Sequence, residues 1–174
     1  MRLPPPRNRA APYRIDVVCL GNICRSPMAG AVLTRRIEGA GLDTRVVTSG
    51  IGGWHVGEPM DRRAAALLTA HGYDSTLHRA QQFDNRWCAE SDVVLAMDEA
   101  NLSALQSASG VPGAGADGGR LRLFRDYDPL AEDGGRAVPD PYYGGDDGFV
   151  SVLEMIERTC EEIVSALVRV RVGH

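Results

Sequence analysis

Residues 13–28, YRIDVVCLGNICRSPM, decide the fold of this chain. Residues 13–20 form a short apolar run rich in β-branched side chains, which is typical of a strand buried inside a sheet. Gly21 ends that run. Ser26 and Pro27 then predict the start of a helix, with Ser26 as its N-cap and Pro27 in its first turn. The stretch therefore predicts a strand, a short loop and a helix in direct succession.

The same alternation of strand and helix patterns continues along the chain. We predict further strands at 44–49, 92–97 and 120–124, and helices at 26–40, 61–71, 98–106 and 150–170. Strands that alternate with helices favour a parallel sheet, because each helix carries the chain back to the start of the next strand. We therefore expect an α/β protein: a single domain with a four-stranded parallel sheet and helices on both faces.

The composition is that of a globular protein of one domain. The chain has 174 residues, of which 44% are hydrophobic and 24% are charged. Its formal net charge of -4 disfavours a broadly basic nucleic-acid binder. No apolar run is long enough for a membrane-spanning helix, and the N-terminus lacks the apolar core of a secretory signal. We therefore expect a cytoplasmic protein with neither a nucleic acid nor a membrane as its partner.

Two segments depart from this regular pattern. Residues 1–12 are rich in proline and arginine, and we predict a disordered arm there. Residues 107–119, SASGVPGAGADGG, are mostly small, and we predict a flexible inserted loop within a domain that spans 13–172. The chain contains arginine but no lysine, which indicates GC-rich coding and a bacterial source.

The loop between the first strand and the first helix carries the chemistry. Successive backbone N–H groups in such a turn converge on an anion, and the helix N-terminus adds positive potential, so residues 19–26 predict a phosphate-binding loop. Arg25 offers a planar fork of donors that matches a tetrahedral oxyanion. The same positive field favours the thiolate form of Cys19, and Ser26 can donate a hydrogen bond to it. The other members of the loop are Leu20, Gly21, Asn22, Ile23 and Cys24.

A metal site is a weaker interpretation of the same loop. Cys19 and Cys24 could be ligands, but no second Cys/His pair follows at a ligand-like spacing. The 4 cysteines are also too few and too irregularly spaced for a secreted disulfide scaffold. We expect no metal and no cofactor.

The string VCLGNICRSPMA, residues 18–29, resembles the signature of the low-molecular-weight protein tyrosine phosphatases. Further stretches match the family in its order across residues 13–170: TSGIGGWHVGEPMDRRA, LTAHGYDSTLHRAQQF, DVVLAMDEAN, DYDP and PDPYYGG. The resemblance implies a hydrolase that acts on phosphotyrosine and aryl phosphates through a cysteinyl-phosphate (phosphocysteine) intermediate. It also implies phosphotyrosine proteins or small aryl phosphates as partners, and inorganic phosphate or sulfate as bound anions.

The family resemblance implies three catalytic residues. Cys19 would attack phosphorus, and Arg25 would bind the equatorial oxygens as they spread in the transition state. Asp140 would be the general acid, held in a loop that Pro139 and Pro141 stiffen. A carboxyl group beside an anion keeps its proton more readily, and Asp140 could then donate it to the leaving phenolate. From the residues alone, Asp140 could also be an ordinary turn aspartate like Asp146 or Asp147, and three other aspartates of the same loop remain candidates for the acid: Asp126, Asp128 and Asp133.

The resemblance also implies residues around the catalytic three. Aromatic walls suit a flat phenyl ring and make a cleft deep enough to favour phosphotyrosine over phosphoserine. The residues that would line this cleft are Trp54, His55, Tyr142 and Tyr143. Asn22 would adopt a left-handed conformation, braced by hydrogen bonds with Ser49 and His78. Asp98 would orient Arg25.

Two other functions remain open. A thiol-dependent arsenate reductase uses the same fold but relays a disulfide through two further cysteines near the loop, whereas Cys88 and Cys160 are isolated in this sequence. A non-catalytic module that binds phosphoanions would need neither Cys19 nor an acid. The resemblance further implies that Cys24 can protect an oxidised Cys19 as a reversible disulfide. We expect a monomer or a weak dimer.

Overall fold

Four parallel strands form one sheet in the computed structural model, which describes residues 1–110, 119–131 and 135–172. The strands are β1 (Tyr13–Cys19), β2 (Thr44–Gly50), β3 (Val93–Ala96) and β4 (Leu121–Leu123), in the order β2-β1-β3-β4. The α-helices of the described residues are α1 (Arg25–Gly39), α2 (Arg62–Ala70), α3 (Trp87–Glu90), α4 (Glu99–Ser109) and α5 (Asp146–Val172). The predicted α/β fold class is confirmed.

Apolar side chains on both faces bury the sheet between two layers of helices. On one face, α1, α2 and α5 pack on the sheet and form the larger core, which includes Ile15, Met28, Leu68 and Ile156. On the other face, Leu105 of α4 packs against side chains of β1, β3 and β4. A strand covered on both faces is apolar throughout, which explains the continuous apolar run in β3. Within the described part of the chain, no helix combines the length and the apolarity needed to cross a bilayer.

The carboxyl ends of β1 and β3 lie at the topological switch point of the sheet. From β1 the chain continues to β2 on one side, and from β3 it continues to β4 on the other side. The helix after β1 and the helix after β3 lie on opposite faces, so a crevice forms between the two strand ends. Cys19 is the last residue of β1, and Asp98 is the N-cap of α4. The Val138 N–H donates to the Met97 carbonyl at 2.7 Å, which brings the loop that contains Asp140 to the same edge. Three segments of the chain therefore meet where ligands bind in such sheets.

The start of α1 differs from the prediction. The helix begins at Arg25 with Cys24 as its N-cap, and no side chain caps it. Ser26 is not the N-cap, because its hydroxyl contacts Cys19 Sγ instead. A serine before a proline is typical of an N-cap, but the contact with Cys19 engages the hydroxyl oxygen that would otherwise cap the helix.

The predicted inserted loop is partly helical. α4 continues to Ser109, and Gly110 ends it with φ +66°, a conformation that glycine adopts without strain. Residues 107–109 therefore belong to α4, and residues 111–118 lie outside the described residues. The short helix α3 and the beginning of α5 at Asp146 were not predicted.

The N-terminal segment corrects the prediction of a disordered arm over residues 1–12. Leu3 is 6% exposed and belongs to the larger core. The Tyr13 hydroxyl donates to the Pro4 carbonyl at 2.9 Å, and the Arg7 N–H donates to Asp92 Oδ1 at 2.5 Å. The prediction was wrong because it relied on the proline and arginine content of the segment. In the structure, one buried leucine and the backbone carbonyls of the proline run hold the segment against the domain.

Candidate active site

The thiol of Cys19 lies among hydrogen-bond donors at the end of β1. Its Sγ lies 3.0 Å from Ser26 Oγ, and the Asn22 N–H donates to it at 3.2 Å. All three residues are buried. The sulfur therefore has the Asn22 N–H and the Ser26 hydroxyl within hydrogen-bond distance.

Asn22 holds this loop in a conformation that few residues adopt. Its φ is +57°, in the left-handed region. Its Nδ2 donates to Ser26 Oγ at 2.9 Å, and its Oδ1 accepts from the Gln81 N–H at 2.9 Å. Its carbonyl accepts from His78 Nε2 at 2.7 Å. Burial lowers the pKa of His78, against the opposing effect of this hydrogen bond, so the imidazole is neutral and donates through Nε2.

Ser49 contributes in a different way from the one expected. Its carbonyl lies 3.3 Å from Ser26 Oγ and is an alternative acceptor for the single hydroxyl proton that can also point at Cys19 Sγ, while the Ser49 hydroxyl is buried and has no hydrogen-bond partner among the described residues. The structure therefore corrects the expected hydrogen bond between Ser49 and Asn22. Gln81, which the sequence analysis missed, supports Asn22 through its backbone N–H. Every residue except proline has that group, so no sequence pattern could have indicated it.

Arg25 supplies the positive charge of the site. It is 2% exposed, and its Nη1 donates to Asp98 Oδ2 at 2.5 Å and to the Val138 carbonyl at 3.1 Å. Its Nη2 donates to Asp140 Oδ2 at 3.0 Å. Burial by itself would lower the pKa of Arg25, but the hydrogen bond with Asp98 and the neighbouring anionic groups raise it, so the guanidinium stays charged. Asp98 thus makes the contact with Arg25 that the family resemblance implied.

Asp140 reaches the site from the loop before α5. Its Oδ2 faces Arg25, and its Oδ1 accepts from the Tyr142 N–H at 3.1 Å. Its side chain is 37% exposed, so the carboxyl group can meet both substrate and solvent. Among the described aspartates, Asp140 is the one that lines the cavity over Cys19.

The competing aspartates have other partners. Asp128 is buried and accepts from Arg125 and Arg158; burial alone would raise its pKa, but these hydrogen bonds lower it to about 2. Asp126 pairs with Arg136 at 3.2 Å. The third candidate, Asp133, lies outside the described residues. Asp146 and Asp147 lie in the first turn of α5.

A cavity of about 330 Å³ opens over Cys19. The loop of residues 19–25 forms its floor, and its walls are formed by Trp54, His55, Asp140, Tyr142 and Tyr143. Trp54 is 71% exposed and Tyr143 is 93% exposed, so both rings stand at the rim rather than in the core. The His55 Nδ1 lies 2.7 Å from Glu58 Oε2. The cavity therefore combines an anion-binding floor with an aromatic rim.

The other cysteines lie in different surroundings from Cys19. Burial raises the pKa of the Cys24 thiol to about 12, so this neighbour in the loop stays protonated. Cys160 is fully buried in α5, 4.0 Å from the Ala29 carbonyl. Cys88 lies in α3, which leads into the amino end of β3, opposite the end that carries Cys19. The described residues contain no cluster of three or more His, Cys, Asp or Glu that could hold a metal.

A nucleophilic thiol, a buried guanidinium and a carboxyl group around an anion-binding loop define a cysteine-dependent phosphatase site at the edge of an α/β sheet. Comparison with known proteins leads from this class to a family. The family described as low molecular weight phosphotyrosine protein phosphatase matches residues 14–172. The chain belongs to that family.

The relatives match over most of their length. The low molecular weight protein-tyrosine-phosphatase of Streptomyces coelicolor is 45% identical over 157 residues, which cover 89% of this chain and 93% of that protein. The crystal structure of YfkJ from Bacillus subtilis matches with a TM-score of 0.83 at 30% identity, covering 93% of this chain and 98% of that one. Vibrio vulnificus Wzb, solved in complex with benzylphosphonate, matches with a TM-score of 0.73 at 26% identity, covering 88% and 97%.

Proposed function

We propose that this chain hydrolyses phosphotyrosine in proteins, and small aryl phosphates, by way of a cysteinyl-phosphate. One observation carries the proposal: Cys19, Arg25 and Asp140 line the same cavity, with Arg25 hydrogen-bonded to Asp140. Membership of a phosphatase family supports it. So does the Wzb structure, whose bound benzylphosphonate joins a phosphate-like group to an aromatic ring.

In the first step, the Cys19 thiolate attacks phosphorus. An S–P bond forms, and the bond between phosphorus and the phenolic oxygen breaks. Asp140 donates its proton to that oxygen, so the product departs as a neutral phenol. Ser26 Oγ, 3.0 Å from Sγ, keeps the sulfur aimed at the anion site.

Arg25 acts on the charge that spreads over the equatorial oxygens. Asp98 and the Val138 carbonyl hold Nη1, so the guanidinium is fixed before substrate arrives. Nη2, which faces Asp140 in the free protein, exchanges that carboxyl group for a phosphate oxygen. The exchange frees Asp140 to turn toward the leaving oxygen.

In the second step, water attacks the cysteinyl-phosphate. Asp140, now a carboxylate, takes a proton from the water, and the S–P bond breaks to release inorganic phosphate. The sulfur leaves as a thiolate, stabilised by Ser26 Oγ and the Asn22 N–H. Thiolate attack assisted by a guanidinium needs no metal, so we expect full activity in EDTA.

The aromatic rim sets the substrate class. Trp54 and Tyr142 flank the entrance to a cavity whose floor carries the nucleophile, so a phosphoryl group at the end of a phenyl ring reaches Cys19 while the ring contacts the rim. A phosphoserine is shorter and lacks the ring. Inorganic phosphate and sulfate should bind on the same floor. We further propose a cytoplasmic protein that is a monomer or a weak dimer.

Two variants test this function with aryl phosphates in EDTA. Cys19→Ser should lose turnover but still bind phosphate, because the amide donors of the loop remain. Asp140→Asn should lower kcat/KM for phenyl phosphate by about 10²- to 10⁴-fold, and far less for 2,4-dinitrophenyl phosphate, which departs without a proton.

Mass spectrometry of a rapidly quenched reaction should detect phosphorylated Cys19. Product formation without any phosphorylated thiol would contradict the mechanism. Arsenate reduction with thioredoxin, in the absence of phosphatase activity, would favour the arsenate reductase. Tight phosphate binding without turnover would favour the non-catalytic module.

A further inference from the structure

Arg63 contacts the loop that carries Asp140. It is the second residue of α2, and its Nη2 donates to the Tyr142 carbonyl at 3.0 Å. Its Nη1 donates to the Gly144 carbonyl at 3.2 Å. Both carbonyls belong to residues 139–145, which we call the acid loop, and the Tyr142 N–H itself donates to the Asp140 carboxylate. Arg63 therefore binds the backbone that holds Asp140.

Asp61 fixes Arg63 and connects it to the nucleophile's loop. Asp61 Oδ1 accepts from Arg63 Nε at 3.1 Å, and Oδ2 accepts from Nη2 at 3.0 Å. The Asp61 N–H donates to the Ile23 carbonyl at 2.7 Å, and Ile23 belongs to the loop that begins at Cys19. The hydrogen bonds from Arg63 lower the pKa of Asp61, so the pair stays ionic. A continuous set of contacts thus runs from the nucleophile's loop through Asp61 and Arg63 to the acid loop.

Aromatic rings limit the movement of the Arg63 guanidinium. Its central carbon lies 4.6 Å from the centroid of the Phe149 ring and 5.9 Å from that of Tyr142. Phe149 is 1% exposed in α5, so it is a rigid surface for the guanidinium. An ammonium group could not pair with the Asp61 carboxylate through two nitrogens, bind two carbonyls and stack on a ring at the same time.

We propose that Arg63 is a positioning residue that holds the acid loop against the nucleophile's loop, so that Asp140 delivers its proton to the leaving oxygen. This inference rests on the proposed phosphatase function. Pro141 is buried, but the other residues of the acid loop are exposed, Tyr143 to 93%, and two glycines follow Tyr143. Without Arg63 the loop moves and proton delivery falls, whereas Cys19 keeps its hydrogen bonds with Ser26 and Asn22.

Leaving-group dependence tests the inference, measured as kcat/KM for a series of aryl phosphates. Arg63→Ala should lose at least about tenfold more activity toward phenyl phosphate than toward 2,4-dinitrophenyl phosphate, because only the poor leaving group needs the acid. Arg63→Lys keeps the charge but should lose almost as much activity toward phenyl phosphate as Arg63→Ala does. Arg62→Ala, the neighbouring exposed arginine, is the matched control and should behave as wild type.

A double variant separates positioning from a general structural effect. In the Asp140→Asn background, Arg63→Ala should add no further dependence on the leaving group, because both changes act on the same proton. An equal loss across the series, or a fully additive loss in the double variant, would overturn the inference. If Arg63→Ala does not fold, Arg63→Gln replaces it, with melting temperature measured for every variant.

The proposed function and this inference fail in different ways. If wild-type protein hydrolyses no aryl phosphate, both are refuted. If wild type and Asp140→Asn behave as expected while Arg63→Ala keeps the wild-type leaving-group dependence, only the role of Arg63 is refuted.

Discussion

Gly30 lies where α1 packs against Thr48 of β2. A Cβ at this position would lie 2.5 Å from Thr48 Cγ2, and a β-branched side chain in a strand has few alternative rotamers. We expect Gly30→Ala to destabilise the protein by about 1–3 kcal/mol through overpacking, although alanine favours helix.

Gly39 in the same helix is the matched control. A Cβ there meets nothing within 4 Å, so Gly39→Ala should stabilise the protein by up to about 1 kcal/mol. Urea unfolding followed by circular dichroism measures both changes. Shifts of the same sign would show that helix propensity, and not contact with Thr48, decides the effect at Gly30.

Sequence indicated candidate site residues best where a distinctive side chain is involved, and the structure brings three of them to one cavity while their catalytic roles stay predictions. Cys19, Arg25 and Asp140 carry groups whose chemistry suggests a role, and the family resemblance distinguished Asp140 from its neighbours. Gln81 acts through its backbone and could not be found in this way. Ser26 was assigned to a helix cap because the local rule cannot weigh a thiol that is distant in the sequence.

At the scale of elements, Asp128 joins the segment after β4 to α5. Its carboxylate accepts from Arg125 Nε at 2.9 Å and from Arg158 Nε at 2.7 Å. Arg125 in turn donates to the Gly135 and Ala137 carbonyls at 2.8 Å and 2.9 Å, on the path toward Asp140. Through Arg125, one buried carboxylate thus holds the segment that leads into the acid loop.

The charge of Asp128 should make stability depend on pH. Its folded pKa of about 2 lies below its unfolded value, so its contribution is complete above the unfolded pKa and is lost as pH falls through the folded pKa. Asp128→Asn should be less stable than wild type by about 2 kcal/mol at neutral pH. Urea unfolding should show this difference shrinking as the pH falls from about 4 to about 2. A difference that is constant over that window would contradict the assignment.

Long elements were easier to predict than their ends. β1, β3 and α5 have apolar patterns that local sequence displays directly, and all three exist close to the predicted ranges. The four-residue helix α3 is too short to show a period. The last turn of α4 contains small polar residues, which are typical of loops, and only the left-handed Gly110 marks its true end.

At the scale of the whole molecule, the N-terminal segment closes the end of the sheet opposite the cavity. Leu3 is in the core, and Arg7 binds Asp92 just before β3. We expect Leu3→Ala to cost about 2–5 kcal/mol of stability, with kcat/KM for aryl phosphates unchanged. Arg9→Ala, at an exposed position of the same segment, should leave both quantities unchanged. Thermal unfolding and steady-state kinetics make the comparison, and wild-type stability of Leu3→Ala would mean that the segment does not pack as described.

The two reactive loops each lead directly into a long helix. α1 begins at Arg25, immediately after the loop of Cys19, and α5 begins at Asp146, immediately after the acid loop. These helices pack against each other, with Cys160 of α5 beside Ala29 of α1. The two loops are therefore joined not only through Arg63 but also through a helix pair that extends well away from the cavity. A change in the packing angle between α1 and α5, made far from the cavity, would therefore move Asp140 relative to Cys19 and slow proton transfer.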